Sequence, residues 1–362
     1  FIMAYTDIDK PSDYFETKLY TGTGATQSIT GVNFQPDLVW LKSRNNAYNH
    51  NFFDSVRGVL KMLRPNTTNA EATISNTLTS FNSDGFTLGS DAGVNESSSN
   101  QVSWNWKAGT SFTNDASATG VGSIDSAGSV NTDAGFSIVS WTGNGADATI
   151  AHGLSQAPTI YFVKNRADAA DWRVGQVLGG NIMTGGNGYY MELNDAKAST
   201  NPGSATLWGS TPTAPTSSVF TVGSNNANNG SSDAMIAYCF HSVKGYSKFG
   251  SYTGNNNANG TFVYTGMKPA FVMIKNSTTS STSWVIQDTK RSSSSGGNPA
   301  DKRLLPNATT AEATDSAIDL LSNGFKIRST GSWTNDSANT YIYMAFAESP
   351  FVTSTGIPAT AR

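Results

Sequence analysis

Hydrophobic and polar positions along this chain fall into one arrangement that is written three times. A proline is followed by a mainly apolar run and then, six positions on, by a lysine: Pro36-Asp-Leu-Val-Trp-Leu-Lys42, Pro158-Thr-Ile-Tyr-Phe-Val-Lys164 and Pro269-Ala-Phe-Val-Met-Ile-Lys275. The prolines lie 158 − 36 = 122 and 269 − 158 = 111 residues apart. β-Branched and aromatic residues suit a pleated surface, and a leading proline, which cannot donate to a ladder, marks entry into a strand from a turn. Leu38 and Trp40 alternate with Val39 and Leu41, Ile160 and Phe162 with Tyr161 and Val163, and Phe271 and Met273 with Val272 and Ile274. Both faces are apolar, which predicts a central strand covered on each side, with Trp40, Phe162 and Met273 buried at equivalent positions.

The flanks repeat as well. An aromatic-Thr-Gly turn precedes each copy, at Tyr20-Thr-Gly22, Trp141-Thr-Gly143 and Tyr252-Thr-Gly254, and is expected to close a hairpin. Phe-centred strands follow around Phe86, Phe220 and Phe325. The closing strands are Val102-Ser-Trp-Asn-Trp106, Ile236-Ala-Tyr-Cys-Phe240 and Ile342-Tyr-Met-Ala-Phe346. Asn66-Thr-Thr-Asn-Ala-Glu-Ala72 returns as Asn307-Ala-Thr-Thr-Ala-Glu-Ala313. The expectation is an all-β chain of three tandem β-sandwich units of a triplicated repeat, each of roughly 110 residues, within the usual domain range. The divisions are an N-terminal arm at 1–15, a first unit with its linker at 16–134, a second at 135–247, a third at 248–351 and a tail at 352–362. Within the linker, Ser123-Ile-Asp125 is expected to form a small strand. Helix signals are few; Ala308 to Leu321 reads as a short helix or as a loop with strand character.

Composition narrows the function classes. Only 14% of the residues are charged and the net charge is −3, which disfavours nucleic acid as a partner, since that calls for a basic face. No apolar run reaches the length of a membrane span, and the first residues lack the basic and apolar regions of a signal peptide, so release by lysis is one expected route out of a cell. Cys239, alone of its kind, sits in an apolar strand and reads as a small buried hydrophobe.

Candidate chemistry is sparse. His50, His152 and His241 have no metal-like spacing, and no nucleophile elbow or phosphate loop is present. Asp54 with Arg57 matches Asp288 with Arg291, and Glu71 matches Glu312, but Gln176 stands at the first of these positions in the second unit. A glycosidase needs two carboxylates flanking the bond, so these pairs read more simply as strand-end ion pairs or turn caps. Loops at Asn82-Ser-Asp-Gly85, Asn131-Thr-Asp133, Ser224 to Gly230 and Asn335-Asp336 offer oxygens but not the spacing of a calcium loop; they read as turns, and no metal or cofactor is expected. Tyr48, Tyr189, Tyr190, Trp208 and Trp333 fall outside the repeated strands and are candidates for stacking on sugar rings, against the alternative that they fill gaps between units. Phe1, Ile2, Tyr5 and Ile8 of the arm are candidate anchors for a neighbouring subunit, since a terminal segment outside the repeats stays mobile unless tied down.

Several stretches resemble a family of virion proteins of tailed bacteriophages. They include Gly135-Phe-Ser-Ile-Val-Ser-Trp-Thr-Gly-Asn-Gly145, Ala151-His-Gly-Leu154, Gly245-Tyr-Ser-Lys-Phe-Gly-Ser-Tyr-Thr-Gly254 and Tyr341-Ile-Tyr-Met-Ala-Phe-Ala-Glu-Ser-Pro-Phe351. The resemblance covers nearly the whole chain from about residue 16 and implies jelly-roll, concanavalin A-like lectin sandwiches. It carries no catalytic or sugar-binding residue onto a position here, because its recurring residues belong to turns and cores. It implies a non-enzymatic structural protein on the exterior of the particle, a tail-fibre, receptor-binding or head-decoration component. Other virion proteins, a homo-oligomer and host surface glycans are then the expected partners. The alternatives are a carbohydrate-binding module and a polysaccharide depolymerase.

Overall fold

A computed structural model describes residues 6–178, 188–201, 207–293 and 297–360, and it is all-β apart from single helical turns. The three proline-to-lysine runs form the strands Leu38–Ser43, Ile160–Asn165 and Met267–Asn276. Each is an interior strand. Leu38–Ser43 pairs antiparallel with Asn100–Trp106 and Asn51–Asp54. Ile160–Asn165 pairs with Ala234–Phe240 and Arg173–Gln176, and Met267–Asn276 with Thr340–Pro350 and Val285–Asp288. On the far side of each closing strand lies one more, Phe15–Thr21, Phe136–Thr142 and Ser247–Thr253 respectively. The same four-strand order therefore occurs in the first segment (15–106), the second (110–240) and the third (247–350).

Alternation along these strands feeds two kinds of core. Val39 and Leu41 meet Ile29, Phe86 and Leu88 of a second sheet formed by Gln27–Thr30, Gly85–Leu88 and Leu78–Asn82. Tyr161 and Val163 meet Phe220 and Val222 across the pair Ala148–Ala151 and Val219–Val222. Val272 and Ile274 meet Val263, Phe325 and Ile327 across a sheet that includes Phe262–Tyr264 and Gly324–Ile327. The opposite faces, with Leu38, Trp40, Ile160, Phe162, Phe271 and Met273, fall into one continuous cluster shared by all three segments. The Trp106 ring joins them, with centroids 6.5 Å from Phe240, 6.0 Å from Phe271 and 5.6 Å from Phe346. Trp40, Phe162 and Met273 are all buried, as their register predicted.

Several sequence expectations change. The Tyr20-Thr-Gly22 turn does not close a hairpin: Phe15–Thr21 and Gln27–Thr30 lie in different sheets, and the turn crosses between layers. The same holds at Gly143 and Gly254. A Cβ at Gly22, Gly143 or Gly254 would stand 2.2, 2.1 and 2.1 Å from the carbonyl oxygens of Glu96, Gly230 and Asp336, so close backbone approach is what demands glycine. The linker assigned to the first unit belongs instead to the second segment. Thr110–Asn114 pairs with Ser126–Asn131, which pairs along its length with Phe136–Thr142, moving the boundary from 134 to about 110. Ser123-Ile-Asp125 is not a strand; Ile124 makes one isolated bridge to Ile150. The 308–321 stretch resolves to the strand Ala313–Leu321.

The N-terminal arm changes as well. Ile8 is buried in the shared core, Thr6 Oγ1 and Asp7 N each donate to Lys244 O at 3.1 Å, and Pro11–Asp13 forms a 3-10 turn. Residues 6–15 thus pack on their own chain, which removes Ile8 as an anchor for a neighbour. Phe1, Ile2 and Tyr5 lie outside the described residues. The arm also meets the tail, where Ser354 N donates to Asp9 Oδ1 at 2.6 Å.

Candidate functional site

The lysine that ends each repeated strand is fully buried. Lys42 Nζ donates to Ser43 O at 2.8 Å, Asn46 O at 3.1 Å and, across to the third segment, Thr309 O at 3.1 Å. Lys164 Nζ donates to Asn165 O at 2.7 Å, Asp168 O at 3.1 Å and Thr68 O of the first segment at 3.2 Å. Lys275 Nζ donates to Asn276 O at 3.0 Å, Thr282 O at 2.7 Å and Ala196 O of the second segment at 3.2 Å. Burial pulls Lys42 and Lys164 down to about 8 and Lys275 to about 7. A lowered lysine is a candidate base or nucleophile. Here every ammonium proton faces a carbonyl oxygen and no head group reaches solvent, so the lysines tie segments together rather than attack a substrate.

The matched carboxylates have the same fate. Asp54 Oδ2 accepts from Arg57 Nε at 2.5 Å and from the Tyr238 hydroxyl of the second segment at 2.6 Å, while Oδ1 accepts from Arg57 N at 2.9 Å. Arg57 Nη1 reaches Glu71 at 3.1 Å, and Arg166 of the second segment grips Glu71 with two bonds of 2.9 and 3.0 Å. Asp288 repeats this: Arg291 Nε at 2.6 Å, Arg291 N at 3.0 Å, and Trp104 Nε1 of the first segment at 3.0 Å. Arg291 Nη1 reaches Glu312 at 3.1 Å, and Arg44 of the first segment holds Glu312 with bonds of 3.0 and 2.8 Å. Burial alone would lower the Arg57 guanidinium, but Asp54, Tyr238 and Glu71 outweigh it and raise it. Burial alone would raise Glu71; Arg166 and Arg57 outweigh that and lower it. Asp54 and Asp288 are therefore ion pairs and turn caps, and their oxygens carry no bond-cleaving pair.

Aromatic N–H groups complete the seams. Trp172 Nε1 of the second segment donates to Arg64 O of the first, and Trp284 Nε1 of the third donates to Glu192 O of the second, each at 2.9 Å. His50 stands at the matching place in the first segment, with Nδ1 accepting from Trp40 Nε1 at 2.8 Å, and burial lowers it well below the usual imidazole range.

The aromatic sugar candidates separate. Trp208 is fully buried, with Tyr161 edge-on at 5.4 Å, so it is a core residue and not a binding platform. Trp333 is half-buried on a groove of about 490 Å³ with Asp315, Ser316, Arg328 and Ser332, and the Arg303 guanidinium lies 4.2 Å from its ring centre. Tyr48 donates to Glu96 Oε1 at 3.0 Å, Tyr190 carries the Arg173 guanidinium at 4.7 Å, and Tyr189 is half-buried beside it. Among the described residues no aromatic ring contact joins any two of the five.

The oxygen-bearing loops serve turns. Asp84 accepts from Gly31 N at 2.9 Å and Asn33 N at 2.6 Å, and these bonds lower its carboxyl. Three fully buried asparagines hold such turns, Asn229 and Asn335 in loops that the sequence reads as turns and Asn95 in one it did not single out. Asn95 Nδ2 donates to Ala25 O and Gly89 O at 2.6 and 2.7 Å, and Asn229 Nδ2 to Asn144 Oδ1 and Ala146 O at 2.8 and 2.7 Å. Asn335 Nδ2 donates to Asn255 Oδ1, Asn257 O and Ser329 O at 3.1, 2.8 and 2.7 Å. Each precedes the start of its closing strand (Asn100, Ala234, Thr340) by five residues, a spacing present in the sequence.

No curated protein matches the chain. A family model described as a domain of unknown function, DUF7483, matches residues 10–350, which takes in all three segments. The chain therefore belongs to the DUF7483 family.

Proposed function

We propose that this protein is a non-enzymatic structural component on the exterior of a tailed phage particle, a tail-fibre, receptor-binding or head-decoration protein built from three copies of a jelly-roll, concanavalin A-like sandwich. One observation carries the structural role. The polar residues that recur between segments, namely the strand-end lysines, the Asp–Arg–Glu sets and the asparagines, are spent on bonds within the chain. Spent in this way, the recurring polar groups hold the segments together and are not turned to a substrate. The virion assignment rests on the stretches similar to phage virion proteins. Its test is mass spectrometry and cryo-EM of purified particles from a phage encoding the chain. Copies at defined exterior positions are expected; mature particles that contain no copy of the protein would overturn the assignment.

A second reading has support from Trp333. A half-buried indole beside hydroxyl, carboxylate and guanidinium groups suits a host glycan, which presents an apolar ring face and a rim of hydroxyls. On a glycan array, Trp333→Ala should weaken any binding while leaving the melting temperature nearly unchanged. Loss of stability with unchanged binding would return Trp333 to packing.

A further inference from the structure

Each segment has a corresponding edge strand in its facing sheet: Gln27–Thr30, Ala148–Ala151 and Phe262–Tyr264. Register matches them through Ile29 with Phe86, Ile150 with Phe220 and Val263 with Phe325. In the third segment Ile327 N donates to Thr261 O and Thr265 N to Asn323 O, each at 3.0 Å. Hydrogen-bonded pairs alternate along an antiparallel ladder, so Phe262 and Tyr264 turn their N–H and C=O groups away from the sheet. In the second segment the chain itself covers the same groups. Ser123 N donates to Thr149 O at 2.8 Å, Thr149 N to Ser123 Oγ at 2.8 Å and Ser126 Oγ to Ala151 O at 2.9 Å. Among the described residues, nothing meets the main chain of Phe262 or Tyr264 on that side.

The side chains of this open edge are not those of a strand kept in water. At the matching positions the first segment has Ser28 and Thr30, whereas Phe262 and Tyr264 are aromatic and 44% and 61% exposed. Phe351, also exposed, shares a groove of about 450 Å³ with Tyr264, so the exposed aromatic rings among the described residues all lie here. Edge strands are commonly guarded by charge or proline. The far edge of this sheet, Ala300–Arg303, carries Asp301, Lys302 and Arg303, but residues 260–266 hold neither charge nor proline. Their order, Gly260-Thr-Phe-Val-Tyr-Thr-Gly266, reads alike in residue type from either end. A strand laid antiparallel on its own copy about a two-fold axis at Val263 asks for that symmetry. Phe262 then stands opposite Tyr264 of the second copy and exchanges N–H and C=O with it, Thr261 faces Thr265, and Val263 faces Val263. Aromatic pairs and Thr–Thr pairs are favourable across strands. A glycan could cover the rings but would leave the register of the main-chain groups unused, and an unrelated protein would not require the sequence symmetry.

We propose that two copies of the chain join edge to edge through residues 260–266, so that their Phe262–Tyr264 strands make one continuous sheet. Sedimentation velocity on the full chain, from micromolar to near-millimolar protein, should show a monomer passing into a dimer. Across the same range the amides of Phe262 and Tyr264 should gain at least about tenfold protection from hydrogen exchange, while those of Ser28 and Thr30 stay unchanged. The variant F262S/Y264T, which installs the residues of the first segment, should keep its melting temperature and remain monomeric. A native chain that is monomeric throughout leaves this edge to a glycan or another protein and overturns the proposal. So does a dimer whose amides at 262 and 264 exchange as in the monomer, because it is built on another surface. A folded F262S/Y264T that dimerises as tightly as the native chain overturns it too; if that variant does not fold, exchange in the native chain decides alone.

Discussion

A buried imidazole that accepts a hydrogen bond must stay neutral, and His50 and His152 both do so in this chain. His152 takes Leu154 N on Nδ1 at 3.1 Å and turns Nε2 to Thr216 O at 3.1 Å, so one tautomer satisfies both. Burial lowers His152 to about 4 and lowers His50 and His241 as well. The unfolded chain protonates its histidines near 6.5 while the folded one resists. Their contribution is therefore complete above pH 6.5 and is lost as pH falls from there through the folded values, at up to about 1.4 kcal/mol per histidine per pH unit. Denaturant midpoints measured from pH 7.5 to 4 should fall steadily below 6.5, and His152→Gln should flatten the slope; a midpoint constant across that range would contradict the neutral-imidazole account. Trp40 bears on size rather than charge. Fully surrounded by His50, Phe52 and Trp104, it should cost roughly 3–5 kcal/mol when cut to alanine, read as a lowered denaturant midpoint.

At the scale of elements, the three core strands were legible because their signal is local: a proline, two apolar faces and a terminal lysine. Connections were not. Whether the chain after Tyr20-Thr-Gly22 turns back on the same sheet or crosses to the facing one depends on what lies beside the glycine, here the Glu96 carbonyl from 74 residues downstream (96 − 22 = 74). The 110–131 strands were hidden for a related reason. Their Gly, Ser, Asp and Thr content reads as loop, and only the edge offered by Phe136–Thr142 makes them strands. The candidate site divides in the same way. Asp54 with Arg57 and Asp288 with Arg291 were readable as pairs at a three-residue spacing, whereas Tyr238 and Trp104 reach their aspartates, and Arg166 and Arg44 reach Glu71 and Glu312, from other segments. Trp208 lost its sugar role because a polar neighbourhood in sequence does not fix burial in space. The asparagine turns offer the sharper test here. Removing the Asn229 amide leaves Trp141 Nε1 buried without its partner, costing about 1–3 kcal/mol, and takes a hydrogen bond from the carbonyl of the exposed Ala146. Asn229→Ala should thus lower stability by roughly 1–3 kcal/mol by urea titration, and a neutral substitution would mean that water replaces the amide.

At the scale of the molecule, the sequence suggests three units in a row, whereas packing gives three β-sheet segments around one shared core. Three autonomous domains would each enclose their own apolar residues and meet through modest interfaces. Here Trp40, Phe162 and Met273 all face the common cluster, and even the N-terminal Ile8 is built into it. A segment taken away from its neighbours would expose that whole face, so the folded state of each depends on the other two. Equilibrium unfolding should then be a single cooperative transition, with tryptophan fluorescence and far-UV circular dichroism giving coincident curves in guanidinium. Trp106 provides the decisive variant, since its ring touches Phe15 of its own segment, Phe240 of the second and both Phe271 and Phe346 of the third. In a shared core, Trp106→Ala shifts the entire transition to lower denaturant and keeps it single. In a string of independent units it would shift only the part belonging to the first segment and split the curve into two steps, and that outcome would refute the shared core.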